Sequence, residues 1–184
     1  MKLESKDIEV SFTGEGEAIH NLKHLNKVID VLSENKKISS IKIAFSGVGV
    51  RLISKINTKI PITLQFSLHH ANEDKRKNII PFSDSLLEIK LALIKYECMF
   101  SKININYVLM DGINNSTEDL LLLNEFVNKT NWNILFNPLV AEGELKYINL
   151  ENVLGHEKIK IYKKIGESIV NNDFYKKLTY SKIG

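Results

Sequence analysis

Short apolar runs alternate with longer segments of helical periodicity along this chain, and a polar cluster follows each apolar run. The runs predict buried strands at Ile8–Phe12, Ile41–Phe45, Ile62–Phe66, Ile103–Met110 and Asn133–Phe136. Strands that alternate with helices form parallel sheets, and ligand sites in such folds lie in the loops after the strands. We therefore predict an α/β fold, either an incomplete (β/α) barrel or an open parallel sheet of about six strands. The prediction places residues 1–184 in a single domain.

Three segments have the i, i+3, i+4, i+7 spacing that is typical of amphipathic helices. The first begins after Asn21, the second begins at Ser83 or Asp84, and the third follows a capping box from Ser116 to Asp119. Shorter helices are predicted near residues 49–56 and 150–154. The predicted inward-facing side chains are Leu22, Leu25, Val28, Ile29 and Leu32 in the first helix, Leu86, Leu87, Ile89, Leu93, Ile94 and Cys98 in the second, and Leu120, Leu123, Phe126 and Val127 in the third.

The polar clusters hold groups that suit a ligand, and each group also has a purely structural interpretation. Gly14 and Gly16 let backbone amides approach a ligand while the Glu17 carboxylate binds an amino group, or the three residues form a tight turn. Ser46 and Ser67 can bond a ligand carboxylate or ribose, or they cap the next helix. Only the joint placement of these groups at strand ends favours a binding site.

Two histidine pairs have the residue types of metal ligands but lack the spacing of a metal site. His69 and His70 are adjacent on an extended segment, so their side chains point apart. His20 and His24 have i, i+4 spacing but no third ligand, so a solvated helix face is the simpler interpretation. The sequence also has no Ser-His-Asp, Walker or zinc-finger spacing. We therefore assign no metal ligand and no catalytic residue.

Composition and charge narrow the class of protein. No apolar run approaches the roughly 20 residues that a membrane span needs, and the first residues lack the apolar core of a signal peptide. One cysteine excludes an internal disulfide, so a cytoplasmic protein is expected. The formal charge is +3, and of the 25 basic residues only Arg51 and Arg76 are arginines. Because arginine favours bidentate phosphate contacts, composition supports RNA binding only weakly.

Taken in order, the polar clusters resemble the radical S-adenosylmethionine rRNA methyltransferases of the RlmN and Cfr type. Coverage runs from about Ile8 to Ile169, and the match over Tyr107–Ser116 is the most specific. The matching segments are Phe12–Leu22 (F-x-G-x-G-E-x-x-x-N-x), Ser46–Val48 (S-G-V), Phe66–His69 with Arg76, Ile80 and Pro81 (S-L-H…R…P-I), Tyr107–Ser116 (Y-V-x-L-D-G-V-N-D-S), Asn137 and Pro138 (N-P), and Lys163–Ile169 (basic-x-x-G-x-D-I).

The resemblance implies a radical-SAM-like fold, an RNA target and an S-adenosylmethionine site. In the family the cofactor also chelates a free iron of the cluster, so a chain without the cluster is expected to bind S-adenosylmethionine weakly. The cofactor-binding residues that the resemblance implies are Gly16, Glu17, Ser46, Ser67, His69 and Asn137.

Two departures from the family pattern limit the activity expected of this chain. Family members hold a four-iron cluster with the three cysteines of a C-x-x-x-C-x-x-C loop, whereas this chain has Cys98 alone. The family's methyl-carrying cysteine follows the G-x-D-I motif, and Asp173 stands at that position. A carboxylate cannot replace the thiol as methyl carrier. We expect no iron–sulfur cluster in this chain alone and no family reaction from it alone.

Three functions stay open at this point. In the first, the chain is a truncated or degenerate methyltransferase-like domain that retains part of the S-adenosylmethionine cleft. In the second, it is one half of a split enzyme whose partner chain bears the cluster. In the third, it is a non-catalytic interaction or RNA-contacting scaffold. The family's first strand would pair beside Ile8–Phe12 and is not found here. Because an unpaired apolar edge is a liability, that edge is expected to self-associate or to recruit a partner chain.

Overall fold

The computed structural model of the chain describes residues 8–14, 16–110 and 112–138. Five strands form an open parallel sheet in the order β1-β2-β3-β4-β5, which confirms the predicted class and all five named strands. No helix in these ranges is long and apolar enough to cross a membrane. The strands are β1 (Ile8–Phe12), β2 (Ile38–Phe45), β3 (Ile62–Ser67), β4 (Lys102–Leu109) and β5 (Asn133–Pro138). The α-helices are α1 (Leu22–Glu34), α2 (Glu73–Ile79), α3 (Leu86–Lys95) and α4 (Thr117–Val127), and 3-10 helices span Ala18–Asn21, Val50–Lys55 and Glu97–Met99.

The chain divides into two compact units, and the first consists of residues 1–67 and 82–104. Within it, β1 pairs with β2 and β2 pairs with β3, both in parallel. Phe45 is aligned with Phe66, and the centroids of the two buried rings are 5.2 Å apart. Because the strands run in register, the residues that follow, Ser46 and Ser67, lie at the same level of the sheet.

The second unit consists of residues 68–81 and 105–184. Its described core is aromatic: the Tyr107 ring meets the edge of the Phe136 ring at a centroid distance of 5.8 Å. The rings of Phe126 and Trp132 are 6.0 Å apart, and Trp132 is buried. Trp132, which directly precedes β5, is therefore a packing residue of this core.

The helix starts follow local capping chemistry, with one correction to the sequence prediction. The capping box from Ser116 to Asp119 is present at the start of α4, as predicted. Helix α3 is capped by Ser85 and not by the predicted Ser83 or Asp84. Asp84 is unavailable as a cap because its carboxylate accepts a hydrogen bond from a backbone amide in a different loop.

Helices α1 and α2 show two further differences from the prediction. Helix α1 begins directly after Asn21, but the Asn21 amide oxygen contacts the His24 ring at 2.6 Å and makes no cap hydrogen bond. Val28, predicted to face inward, is 42% exposed. Helix α2 was not predicted, because its segment is mostly charged and has no apolar stripe. It is stabilised by Asn72, whose side chain accepts a hydrogen bond from the amide of Lys75.

Helix α3 has apolar residues on more than one face, and the predicted inward set is partly wrong. Leu86, Ile89 and Leu93 are buried as predicted. The predicted inward residues Leu87 and Ile94 are 67% and 48% exposed. Cys98, predicted to be a core thiol, is also exposed, because the α-helix gives way to a 3-10 helix before it. A helix that is apolar nearly all round carries no periodicity that selects its buried face.

Candidate functional site

Glu17 links the carboxyl ends of the first two strands. It follows the loop after β1, and its Oε1 accepts a hydrogen bond of 2.8 Å from the amide of Ser46, the residue that directly follows β2. The other carboxylate oxygen, Oε2, is buried and has no hydrogen-bond partner among the described residues. A buried acceptor without a donor costs free energy, so this oxygen suits a ligand that carries an N–H or ammonium group.

Gly16 allows the backbone conformation that leads into Glu17. Its φ is +84°, in the left-handed region that favours glycine. A Cβ placed on Gly16 would meet no heavy atom within 4 Å, so the glycine is required by conformation and not by crowding. The backbone next to the Glu17 carboxylate therefore borders open space.

The loop after β2 is fixed by side chains from two other segments. His20 Nε2 donates a hydrogen bond of 3.1 Å to the Val48 carbonyl oxygen. The Asp84 carboxylate accepts from the Val50 amide at 2.6 Å, and the Asp84 amide donates to the Gly47 carbonyl oxygen at 2.9 Å. The sequence did not predict these hydrogen bonds of His20 and Asp84, because it placed His20 on a solvated helix face and Asp84 at a helix start.

In the second unit, His69 follows β3 with a φ of +54°, which is unusual for a residue other than glycine. Its Nδ1 accepts a hydrogen bond of 3.1 Å from the Val108 amide, so the ring proton of the neutral imidazole lies on Nε2. Burial, and secondly the charge of Arg76, lowers the pKa of His69 to about 4. His69 is therefore uncharged at neutral pH.

Asn114 fixes the turn after β4 and the backbone of His69. Its side-chain oxygen accepts from the Met110 amide at 2.8 Å, and its Nδ2 donates to the carbonyl oxygens of His69 and Val108 at 2.6 and 2.7 Å. The Tyr107 hydroxyl donates to the Asn114 carbonyl oxygen at 2.9 Å. Asn114 is fully buried, so its place in a specific motif reflects a structural role.

Asp119 gathers three polar partners at the start of α4. Its Oδ1 lies 2.9 Å from Lys75 Nζ and 3.2 Å from His70 Nε2, and its Oδ2 accepts from the Ser116 hydroxyl at 2.7 Å. Burial opposes ionisation, but the hydrogen bonds from Ser116 and Lys75 hold the pKa of Asp119 below its ordinary value. His70 therefore contacts Asp119 while His69 contacts β4, so the adjacent histidines serve separate networks.

The predicted ligand residues are divided between the two units. The register sets Ser46 and Ser67 at one level in the first unit, and Glu17 is bonded to the first of them. Asn137 in β5 donates through Nδ2 to the side-chain oxygen of Asn106 in β4. Asp173 lies outside the described residues. The first unit holds Gly16, Glu17, Ser46 and Ser67, and the second holds His69 and Asn137.

The iron–sulfur cluster of the resembling family does not fit the ligands that this sequence offers. Such a cluster needs three thiolates, and the 184 residues contain one cysteine. Within residues 8–14, 16–110 and 112–138, no group of three or more His, Cys, Asp or Glu side chains could hold a metal ion. The sequence alone therefore does not supply the three thiolates of such a cluster.

Comparisons with known proteins identify relatives of this chain. No family model matches it. It is 31% identical over 159 residues to a probable dual-specificity RNA methyltransferase RlmN of Chlorobium phaeobacteroides. The aligned region covers 75% of this chain and 43% of the relative. The chain is 29% identical over 149 residues to the corresponding protein of Lachnospira eligens, with 76% and 43% covered. The crystal structure of a radical SAM methyltransferase from Sphaerobacter thermophilus matches with a TM-score of 0.66 at 21% identity, covering 86% of this chain and 48% of that one.

The five parallel strands with their helices define an incomplete α/β fold of the radical SAM class. Sequence similarity narrows this class, because the chain is a homologue of the RlmN-type radical SAM rRNA methyltransferases over about three quarters of its length. The family resemblance drawn from the motifs is thereby confirmed. The chain spans less than half the length of the curated relatives it matches. The ligand roles of individual residues stay predictions.

Proposed function

We propose that this chain binds S-adenosylmethionine at its strand ends and does not methylate RNA with its own residues alone. The supporting observation is the Glu17 carboxylate, whose Oε2 is buried without a described partner while Oε1 is held by the Ser46 amide. The ammonium group of S-adenosylmethionine would donate to Oε2. Because the carboxylate is already fixed in the free protein, little ordering has to accompany binding.

The remaining cofactor residues are proposed on the family resemblance. Ser46 and Ser67 stand at the ends of neighbouring strands, where their hydroxyl groups suit a ligand carboxylate or ribose. His69 and Asn137 of the second unit are added on the resemblance alone. Without three thiolates the cofactor would be held by hydrogen bonds and stacking only, so we expect a millimolar to high-micromolar Kd, or roughly 4–5.5 kcal/mol.

A second function is favoured by the free edge of β1. Among the described strands β1 pairs only with β2, and Ile8 is 50% exposed. A parallel strand that carries the three cluster cysteines could add at this edge, whether it comes from a partner chain or from sequence outside these 184 residues. Because the curated relatives are RNA methyltransferases, RNA is the proposed target of the completed enzyme.

The proposed cofactor site is tested by calorimetry with S-adenosylmethionine on the wild-type chain and on Glu17→Gln. The amide is nearly isosteric but uncharged, so we expect about 10- to 100-fold weaker binding, which corresponds to one charge-assisted hydrogen bond. Glu34→Gln is the matched control, because Glu34 is an exposed carboxylate at the end of α1.

A second ligand separates the ammonium contact from the rest of the site. 5′-Methylthioadenosine lacks the amino acid group, so it should bind wild type and Glu17→Gln equally. Equal binding of S-adenosylmethionine to both proteins would contradict the assigned role of Glu17. No binding of either ligand at millimolar concentration would leave the interaction scaffold as the better hypothesis.

A further inference from the structure

Helix α3 exposes an apolar stripe that the first unit does not cover. Leu87, Leu91 and Ile94 are 67%, 57% and 48% exposed, and their i, i+4, i+7 spacing places them on one side of the helix. Phe82, in the turn before the helix, is 85% exposed. The opposite side of α3 supplies the buried Leu86, Ile89 and Leu93. The exposed stripe is therefore a second apolar face that the core of the unit does not use.

Several exposed apolar side chains on one side of a helix indicate an interaction surface. Single exposed leucines are ordinary, but aligned residues on one helix form a continuous patch of roughly a few hundred Å², the size at which patches become functional. The stripe is about 10 Å long, since seven residues separate Leu87 from Ile94 at 1.5 Å each. A stripe of this length and spacing fits the side of another helix.

We propose that a second copy of this chain covers the stripe, with the two α3 helices packed antiparallel about a two-fold axis at Leu91. In this arrangement Leu91 meets its own counterpart, and Leu87 of each copy lies next to Ile94 of the other. The same patch serves on both sides, as a two-fold interface requires. The apolar face of each helix then supplies the cover that the other lacks.

The charges on one flank of the stripe favour this pairing. Glu88 and Lys95 lie on one flank of α3, and antiparallel pairing places Glu88 of each copy opposite Lys95 of the other. Two opposite-charge pairs therefore border the apolar contact. Glu88 also closes the capping box of α3 with Ser85 and lies 3.3 Å from Arg51 in an exposed and correspondingly weak pair. The dimer would be held mainly by the stripe and oriented by the charges.

The size of the patch predicts a reversible dimer. Stable interfaces bury about 800 Å² on each partner, and one short helix face reaches only part of that area. We expect a Kd on the order of 10–100 μM. The association is independent of S-adenosylmethionine, so its test does not depend on the proposed cofactor site.

Analytical ultracentrifugation of the 184-residue chain from about 5 to 500 μM measures the dimer across this range. Leu91→Lys places two like charges at the axis and should weaken association at least about tenfold. Val31→Lys is the matched control, because Val31 is a 69% exposed apolar residue on α1 of the same unit. The control should dimerise as wild type does, and circular dichroism should show both variants folded.

Cross-linking tests the geometry of the interface. In a Cys98→Ser background, Leu91→Cys should join to itself through a short bismaleimide, and Val31→Cys should not. A wild-type chain that stays monomeric at the highest concentration would overturn the proposal. A dimer that Leu91→Lys leaves unchanged, or that Val31→Lys weakens equally, would also overturn it.

Discussion

The shifted pKa of His69 makes the stability of the chain depend on pH in a predictable direction. The unfolded residue takes up a proton near pH 6.5, whereas burial lowers the folded pKa to about 4. Between these values the unfolded chain binds the proton and the folded chain does not, so the unfolding free energy falls as the pH falls. From about pH 7.5 to pH 4 the loss attributable to His69 is about 3 kcal/mol, from 1.36 kcal/mol per pKa unit.

The measurement compares urea unfolding of wild type and His69→Asn at several pH values in this range. Asparagine tolerates the left-handed backbone that His69 adopts, and its side-chain oxygen can accept a hydrogen bond, so the variant removes mainly the titration. Wild type should lose about 3 kcal/mol more than the variant on acidification. Burial also lowers the pKa of His70, but that contribution is common to both proteins and cancels in the difference.

Two results would refute this account of His69. Parallel pH dependence of the two proteins would show that the imidazole titrates alike in the folded and unfolded chains. A ring titration near pH 6.5 by NMR would show directly that the site does not exclude the charged form. Either result would also remove the neutral Nε2–H donor from the proposed ligand groups.

Three further predictions follow from the packing, the β1 edge and the cysteine count. Asn114→Ala should lower the unfolding free energy by about 2–4 kcal/mol, because three side-chain hydrogen bonds are lost. Ile113 is half-exposed, so the control Ile113→Ala should stay within about 0.5 kcal/mol of wild type, and equal denaturation midpoints of the two variants would contradict this prediction. Val10→Lys should slow aggregation of the concentrated chain by charging the β1 edge, whereas Val31→Lys should not; light scattering that shows equal rates would argue against an associating edge. Anaerobic reconstitution should leave the chain without a stoichiometric cluster, and iron and sulfide that persist through gel filtration would refute that expectation.

The strands and the start of α4 were the predictable part of this fold, because both depend on local sequence. The apolar runs that predict β2 and β3 are buried in the structure, and the Ser116–Asp119 capping box starts α4 as its spacing indicates. The strand ends could also be located, because ligand groups in parallel folds follow the strands. The contact between Glu17 and the Ser46 amide could not, since it joins segments 29 residues apart.

The errors fall where tertiary contacts decide between local alternatives. Asp84 is a good helix cap by type, but it serves the loop at Val50 and leaves the cap of α3 to Ser85. On α3 both Leu86 and Leu87 are apolar, and only packing determines that the first is buried and the second exposed. Periodicity marks a helix clearly when one face is polar, and α3 has no such face over its length.

In the first unit, the groups proposed to bind S-adenosylmethionine are different from the thiolates that radical chemistry needs. The Glu17 carboxylate and the loop after β2 are fixed by contacts within the unit, through the Ser46 amide and through His20 and Asp84. These contacts join side chains and backbone groups of this chain. Electron transfer to S-adenosylmethionine depends on an iron–sulfur cluster, and a single cysteine cannot hold one. The proposed recognition of S-adenosylmethionine therefore rests on groups of this chain, whereas the reaction needs three thiolates and the sequence has one cysteine.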